Sequence, residues 1–228
     1  MIHDGFFLAG NAPALELIGR GLVRPGTVYA LGRNYAEHAA EMNAPAEPVV
    51  FLKPATALLP GGGVVPWPCG AAVVHHEVEL TLLLGGGGAD LDREAARRAI
   101  AGIGIGVDLT ARDLQDEAKR KSQPWARSKG FPGAAPVSAF VDPAALGGSF
   151  VEIDLALTVD GALRQSDTAA SMILDPAETV AALSRWFDLR AGDVVFTGTP
   201  KGVGPIERGQ QVVARSRRLG LEVGFTMA

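Results

Sequence analysis

Cysteine is nearly absent from this chain. The one at Cys69 cannot form an intrachain disulfide, which fits a reducing compartment. Long apolar runs are missing too. None reaches the roughly 20 residues that a membrane-spanning helix needs. The first residues, MIHDGFFLAGNAPALEL, carry no positive flank ahead of an apolar run, so a secretory leader is not expected. The expectation is a soluble cytoplasmic protein. Positive charge is not in excess: 21 Lys and Arg stand against 25 Asp and Glu, a net charge of -4. That gives no support to nucleic-acid binding, which shows as a basic face, and Arg215, Arg217 and Arg218 are too few to make one. Phosphate-binding loops are also lacking. The runs Gly61–Gly63 and Gly85–Gly88 read as loop tips without a following Lys-Ser/Thr, and Gly102, Gly104 and Gly106 miss the dinucleotide spacing. A redox enzyme using a dinucleotide is therefore disfavoured.

What is abundant is glycine, 29 residues, with 15 prolines, in 228 residues of which 47% are apolar. This predicts many turns and short strands around a sizeable core. The runs TVYAL (27–31), VVFLK (49–53), VEIDLALTV (151–159) and DVVFT (193–197) read as strands. Asp160-Gly161 after the third predicts a hairpin, because both turn positions need positive φ. Helices are expected over 91–100, around 111–120, and from Asp175 to about Phe187. In the last, Asp175 can cap, Pro176 suits the first helical position and Glu178 can return a bond. Strands dominate and helices are interspersed irregularly, so the fold class expected is α+β. No internal repeat or linker divides the chain.

The stretch VVHHEVELTL (73–82) puts two carboxylates into an apparently buried strand. Residues i and i+2 share a face. Glu77 and Glu79 should point one way, and Val78, Leu80 and Leu82 the other, into a core. Two adjacent carboxylates repel, and when buried they raise a pKa or find a cation. An oxygen-ligated divalent ion resolves the conflict. A solvent-facing strand edge would carry the same pattern harmlessly, so a third ligand is needed. Asp108, at the end of the Gly-rich run GIGIGVD and before a charged helix, is the candidate; its other reading is a helix cap.

The segments GRNYAEHAAEM, VVFLKP, HHEVEL, DLTARDLQ, QPWARSKGF and GDVVFTGTPKGVGP, in this order, resemble the fumarylacetoacetate hydrolase family. More narrowly, they resemble its short branch of acylpyruvate hydrolases and oxaloacetate decarboxylases or tautomerases. The likeness runs from about Val28 to the C-terminus. It implies a strand-rich mixed β-roll with peripheral helices, a catalytic domain over 21–228 after an extension over 1–20, and a homodimer. It implies Glu77, Glu79 and Asp108 as ligands of Mg²⁺ or Mn²⁺. His38 and Glu41 become an H-x-x-E dyad and Lys129 an active-site lysine. Gln115, Thr199, Gly198 and Arg33 become substrate contacts. The sequence departs from the family pattern at Pro132, where Asp is frequent, and at Val107, where Asn is frequent.

A 2-oxo acid can chelate a divalent ion through its carboxylate and keto oxygens, and the ion then stabilises an enolate. Acylpyruvate cleavage, oxaloacetate decarboxylation and keto–enol tautomerisation all pass through such an enolate. Hydrolysis also needs an activated water, for which a carboxylate-held histidine is suited. The order of expectation is acylpyruvate hydrolysis (fumarylpyruvate, acetylpyruvate), then oxaloacetate decarboxylation or tautomerisation. Isomerisation of 2-hydroxyhepta-2,4-diene-1,7-dioate in aromatic degradation follows. A non-catalytic 2-oxo acid or metal binder is the alternative of another class. Other residues read as structural. His75 is taken as supporting the site without ligating, His76 as facing away. Arg112 and Asp113 are read as tying their helix to its surroundings, and Trp125 and Trp186 as packing. Lys129 has a competing reading as part of a solvated basic face with Lys119, Arg120, Lys121 and Arg127.

Overall fold

The structure, a computed structural model, describes residues 13–36, 48–147 and 149–228. Two large sheets form its body. The first has seven strands, in the order Val49–Lys53, Val28–Gly32, Val194–Phe196, Val78–Leu84, Ile100–Val107, Ala135–Val137 and Leu58–Pro60. Its pairing is mixed: Val194–Phe196 runs parallel to Val28–Gly32 and antiparallel to Val78–Leu84. The second has five strands, in the order Ala162–Thr168, Asp154–Val159, Gln211–Ser216, Leu221–Met227 and Gly62–Val65. A short three-stranded sheet joins Thr110–Ala111, Val74–His76 and Gly204–Ile206. The strand-rich α+β class is as expected.

Two apolar layers explain why the central strand Val78–Leu84 is buried along its whole length. Val78, Leu80 and Leu82 pack with Ile103 and Ile105, and with Leu155, Leu157, Val212 and Phe225 of the second sheet. The opposite face, with Leu83, Val28, Val194 and Phe196, is covered by Leu15, Leu17 and Phe140. A strand covered on both faces loses the alternation of a half-exposed one. Leu15–Leu17 belongs to the segment read as an extension; it pairs with Gly21–Val23, and Leu15 is fully buried.

Local signals translate directly at most termini. Asp160 and Gly161 both have positive φ (49° and 77°) and close the hairpin between Asp154–Val159 and Ala162–Thr168. Asp92 caps the helix Arg93–Ala99 through the Ala95 N–H. Asp175 and Glu178 form a capping box on Pro176–Ser184. That helix stops before Phe187, because the N–H groups of Trp186 and Phe187 both return to the Leu183 carbonyl and tighten the last turn. Two other expectations are corrected. The strand expected from Val151 begins at Asp154, after a turn. Gly62 and Gly63 are strand residues, not a loop tip: Gly62 pairs with Gly224, where a Cβ would lie 1.9 Å from the Gly224 carbonyl oxygen.

Candidate active site

Antiparallel register brings the three carboxylates together. Val78 pairs with Val107 and Glu79 with Gly106, so Glu77 and Asp108 face each other at the end of that ladder, where the Asp108 N–H donates to the Glu77 carbonyl at 2.8 Å. Glu77 sits between Val74–His76 and Val78–Leu84, which belong to different sheets. It is a junction residue rather than mid-strand as the spacing suggested, yet it converges with Glu79 all the same. One oxygen of each of Glu77, Glu79 and Asp108 lies within 4.8 Å of the others, and all three residues are buried. Asp108 does not cap the following helix, Arg112–Arg120, whose N-cap is Ala111.

Cations are distributed unequally over this triad. Lys129, only 2% exposed, donates to Glu77 Oε2 at 2.8 Å and Asp108 Oδ2 at 2.6 Å. Its burial excludes the solvated basic face. Lys53 Nζ is 2.6 Å from Asp108 Oδ1 and donates to the carbonyls of Lys129 and Ala134. Arg112 pairs with Glu77 Oε1 and donates to Gln115 Oε1 at 2.6 Å. Glu79 Oε2 instead accepts from the Gly198 N–H at 2.7 Å. Burial pushes the Glu77 carboxyl up, but Lys129 and Arg112 outweigh it and hold the group well below the usual range. Glu79 is pushed well above the usual range by burial and by the charges of Asp108 and Glu77. Burial pulls the Lys129 ammonium down, but Asp108 and Glu77 win and raise it. Lys53, fully enclosed, is lowered by burial against the pull of Asp108.

The donor set fits a divalent ion. Three buried carboxylates offer hard oxygen ligands, and Glu79, whose ionised form burial and the charges of Asp108 and Glu77 disfavour, is the one that a cation would help most. Glu77, Glu79 and Asp108 are thus the residues that could hold a metal.

A pocket opens above the triad, with Arg33, Gln115, Thr199, Lys119, Phe51 and Trp125 among its lining residues. Arg33 has a left-handed φ of 68°. Trp125 forms wall as well as packing, with its ring 5.7 Å from that of Phe51 and the Lys119 ammonium 5.6 Å away. Gly198 has a φ of 100°, and a Cβ there would lie 2.8 Å from the Asn34 Cβ. Only glycine turns this loop toward Glu79 at low cost. His75 Nδ1 accepts from Arg112 Nε at 3.3 Å; burial and the Arg112 charge hold its pKa down at about 4, so it is neutral at pH 7. Asp113 does tie its helix in place, accepting from the Ala72 N–H at 2.8 Å. Trp186 is exposed. His38 and Glu41 lie outside the described residues.

Sequence reasoning missed three residues here. Arg112 was given only a structural role, although it contacts Glu77. Lys53, at the end of the apolar run VVFLK, carries the one available signal: a lysine that closes a buried strand needs an anionic partner. Asn34 is fully buried; its amide nitrogen donates to the carbonyls of Leu174 and Thr197, and its oxygen accepts from the Leu174 N–H. Nothing in the sequence pointed to that clamp.

Comparison with known proteins places the chain in a family. The model of the fumarylacetoacetate (FAA) hydrolase C-terminal domain matches residues 27–224, and the chain belongs to that family. It is 43% identical over 187 residues to oxaloacetate tautomerase YcgM of Escherichia coli strain K12, covering 81% of this chain and 85% of that protein. It is 43% identical over 195 residues to the mitochondrial oxaloacetate tautomerase FAHD1 of Mus musculus, with 82% and 85% covered. The crystal structure of fumarylpyruvate hydrolase from Pseudomonas aeruginosa in complex with Mn²⁺ and pyruvate superposes with a TM-score of 0.90 at 36% identity, over 96% of this chain and 97% of that one. Relatives of this chain are thus hydrolases, tautomerases and isomerases, and this chain is an enzyme of the same family with a site suited to a divalent metal. Among the described residues, no helix is long and apolar enough to cross a membrane.

Proposed function

We propose that this enzyme acts on a small 2-oxo dicarboxylic acid through its enolate, with keto–enol interconversion of oxaloacetate as the principal activity. The observation that carries the reading is the buried triad Glu77, Glu79 and Asp108 beneath a pocket lined by Arg33, Arg112, Lys119 and Lys129. The triad would hold Mg²⁺ or Mn²⁺. When bound, the ion supplies a Lewis acid to a chelating 2-oxo acid. The cations above it suit a substrate with two negative charges.

The chain's own residues divide the remaining work. Lys129 is the active-site lysine. Its ammonium, which donates to Glu77 and Asp108 at the floor of the pocket, stabilises developing oxyanion charge rather than acting as a base. Thr199, with Gln115, positions the carboxylate next to the keto group, Gly198 makes the turn that presents Thr199, and Arg33 faces the distal end. The H-x-x-E pair His38 and Glu41, which the family pattern brings in, is assigned the proton transfer at the carbon beside the keto group. The two histidines at Val74–His76 do not compete for this role, since each is already engaged, His75 with Arg112 and His76 with Gln165.

Acylpyruvate hydrolysis is the second reading, favoured by the superposition on a fumarylpyruvate hydrolase. It uses the same residues, with His38 activating water instead. A homodimer is part of the proposal, and light scattering of the purified chain tests it. The deciding experiment is a substrate panel with Mg²⁺, with Mn²⁺ and with EDTA. It follows enol-to-keto conversion and decarboxylation of oxaloacetate alongside cleavage of fumarylpyruvate and acetylpyruvate. Metal-dependent tautomerisation as the fastest reaction supports the first reading, and faster acylpyruvate cleavage replaces it with the second. Metal-independent turnover would remove the triad from the chemistry.

A further inference from the structure

A fully engaged amide lies behind the substrate pocket. Gln165, in the strand Ala162–Thr168, is 1% exposed. Its oxygen accepts from the Val78 N–H at 3.0 Å and lies 2.9 Å from His76 Nδ1. Its nitrogen donates to Thr199 Oγ1 at 2.8 Å and to the Pro200 carbonyl at 3.0 Å. The orientation of this amide has one solution. Val78 N–H is only a donor and the Pro200 carbonyl only an acceptor, so flipping the amide would set donor against donor and acceptor against acceptor. His76 Nδ1 must therefore carry a hydrogen and donate it to Gln165.

The same logic constrains Thr199. One Gln165 N–H hydrogen points at its hydroxyl oxygen, which must accept. The hydroxyl's own hydrogen cannot return along that line and is left to donate elsewhere. Thr199 is nearly buried and lines the pocket above the triad.

We propose that Gln165 is a positioning residue that sets the Thr199 hydroxyl as a hydrogen-bond donor toward the substrate carboxylate. This rests on the reading of Thr199 as a substrate contact. Gln165 touches neither substrate nor metal ligand. It joins the start of the strand bearing Glu79, through Val78, to the loop 197–200, and so couples the place where the metal ligands begin to the place where the carboxylate is held. A hydroxyl whose rotor is restricted before binding loses less entropy on binding and has its hydrogen free to meet an anion.

The test uses the full chain loaded with Mn²⁺, with oxalate as a planar dicarboxylate probe, in Thr199→Val, Gln165→Met and the double variant. Thr199→Val is expected to weaken oxalate by roughly 10- to 100-fold, the worth of one hydrogen bond to a charged group. Gln165→Met is expected to weaken it nearly as much, and the double variant no more than Thr199→Val alone. Mn²⁺ affinity without oxalate should be unchanged in all three, and KM for the 2-oxo acid should rise more than kcat falls. A merely structural Gln165 would give additive losses in the double variant, and that result overturns the inference. So does wild-type oxalate affinity in Gln165→Met when Thr199→Val binds poorly. Unchanged affinity in Thr199→Val sinks the substrate-contact reading itself, and the inference with it. Should Gln165→Met not fold, the wild-type protein still decides. The Gln165 side-chain amide protons are expected to shift in NMR spectra on adding oxalate to the Mg²⁺-loaded chain, and an unmoved signal counts against the relay.

Discussion

Lys121 and Lys129 are eight positions apart in one basic stretch, and each makes an ion pair at 2.6 Å, Lys121 with Glu117 and Lys129 with Asp108. Distance does not distinguish them; surroundings do. The Lys121 and Glu117 side chains are 58% and 42% exposed, those of Lys129 and Asp108 are 3% and 1% exposed. An exposed pair one helical turn apart contributes roughly 0.3–0.5 kcal/mol. Breaking a buried pair by removing one partner costs about 3–5 kcal/mol, because it leaves an uncompensated charge. The lesson is that this chain concentrates electrostatic consequence in one place, under the pocket, and leaves most of its surface charge energetically neutral.

The largest effect should come from Lys129→Met. Glu77 and Asp108 then lose their shared cation. The metal-free protein is expected to lose about 3 kcal/mol in urea unfolding, and metal-loaded activity about 100-fold or more. A stable, active variant would erase the contrast with Lys121. Next comes Glu79→Gln, which removes a ligand directly. Mn²⁺ affinity by calorimetry is expected to drop beyond the roughly 10- to 100-fold typical of losing an outer partner, while the fold is retained. Gly198→Ala sharpens the comparison from the backbone side. A Cβ at φ 100° facing Asn34 should cost about 1–3 kcal/mol and displace the N–H that Glu79 uses, so stability and metal affinity fall together.

Asp154 supplies an intermediate case, charged but away from the pocket. Partial burial would raise its pKa, but the N–H groups of Arg218 and Arg217 and the Ser216 hydroxyl outweigh it and lower it. A depressed folded-state pKa adds stability that is present above the unfolded value of about 3.9 and is lost as pH falls through the folded value. Asp154→Asn should therefore be less stable than wild type by about 1 kcal/mol at pH 7, with the gap closing in unfolding curves taken well below pH 3.9. The smallest effect is Lys121→Ala, expected within about 0.5 kcal/mol of wild type with unchanged kinetics.

Much of the fold was legible because its signals are local. Asp160-Gly161, the Asp175–Glu178 box and the apolar runs near Val28 and Val49 act within a few residues, and each appears in place. The misreadings share one cause. Gly61–Gly63 looked like a loop tip because its partner strand, Leu221–Met227, lies far along the chain. Arg112 looked like a helix tether because Glu77 is 35 positions away.

By itself, the sequence determined which groups were available: three carboxylates at positions 77, 79 and 108, a lysine at 129, and strands short enough to bring them together. It also determined the family, through six ordered segments. Only the tertiary structure decided how the charges are shared. Register in the pairing of Val78–Leu84 with Ile100–Val107 sets Asp108 opposite Glu77. Packing then delivers Lys53 and Lys129 to Asp108, Lys129 and Arg112 to Glu77, and, among the described residues, a backbone N–H to Glu79. Charge sharing depends on burial and on partners tens of residues distant, and neither is encoded in the spacing of neighbours. That is why Glu77 and Glu79, two positions apart in one motif, are held on opposite sides of the ordinary carboxylate range.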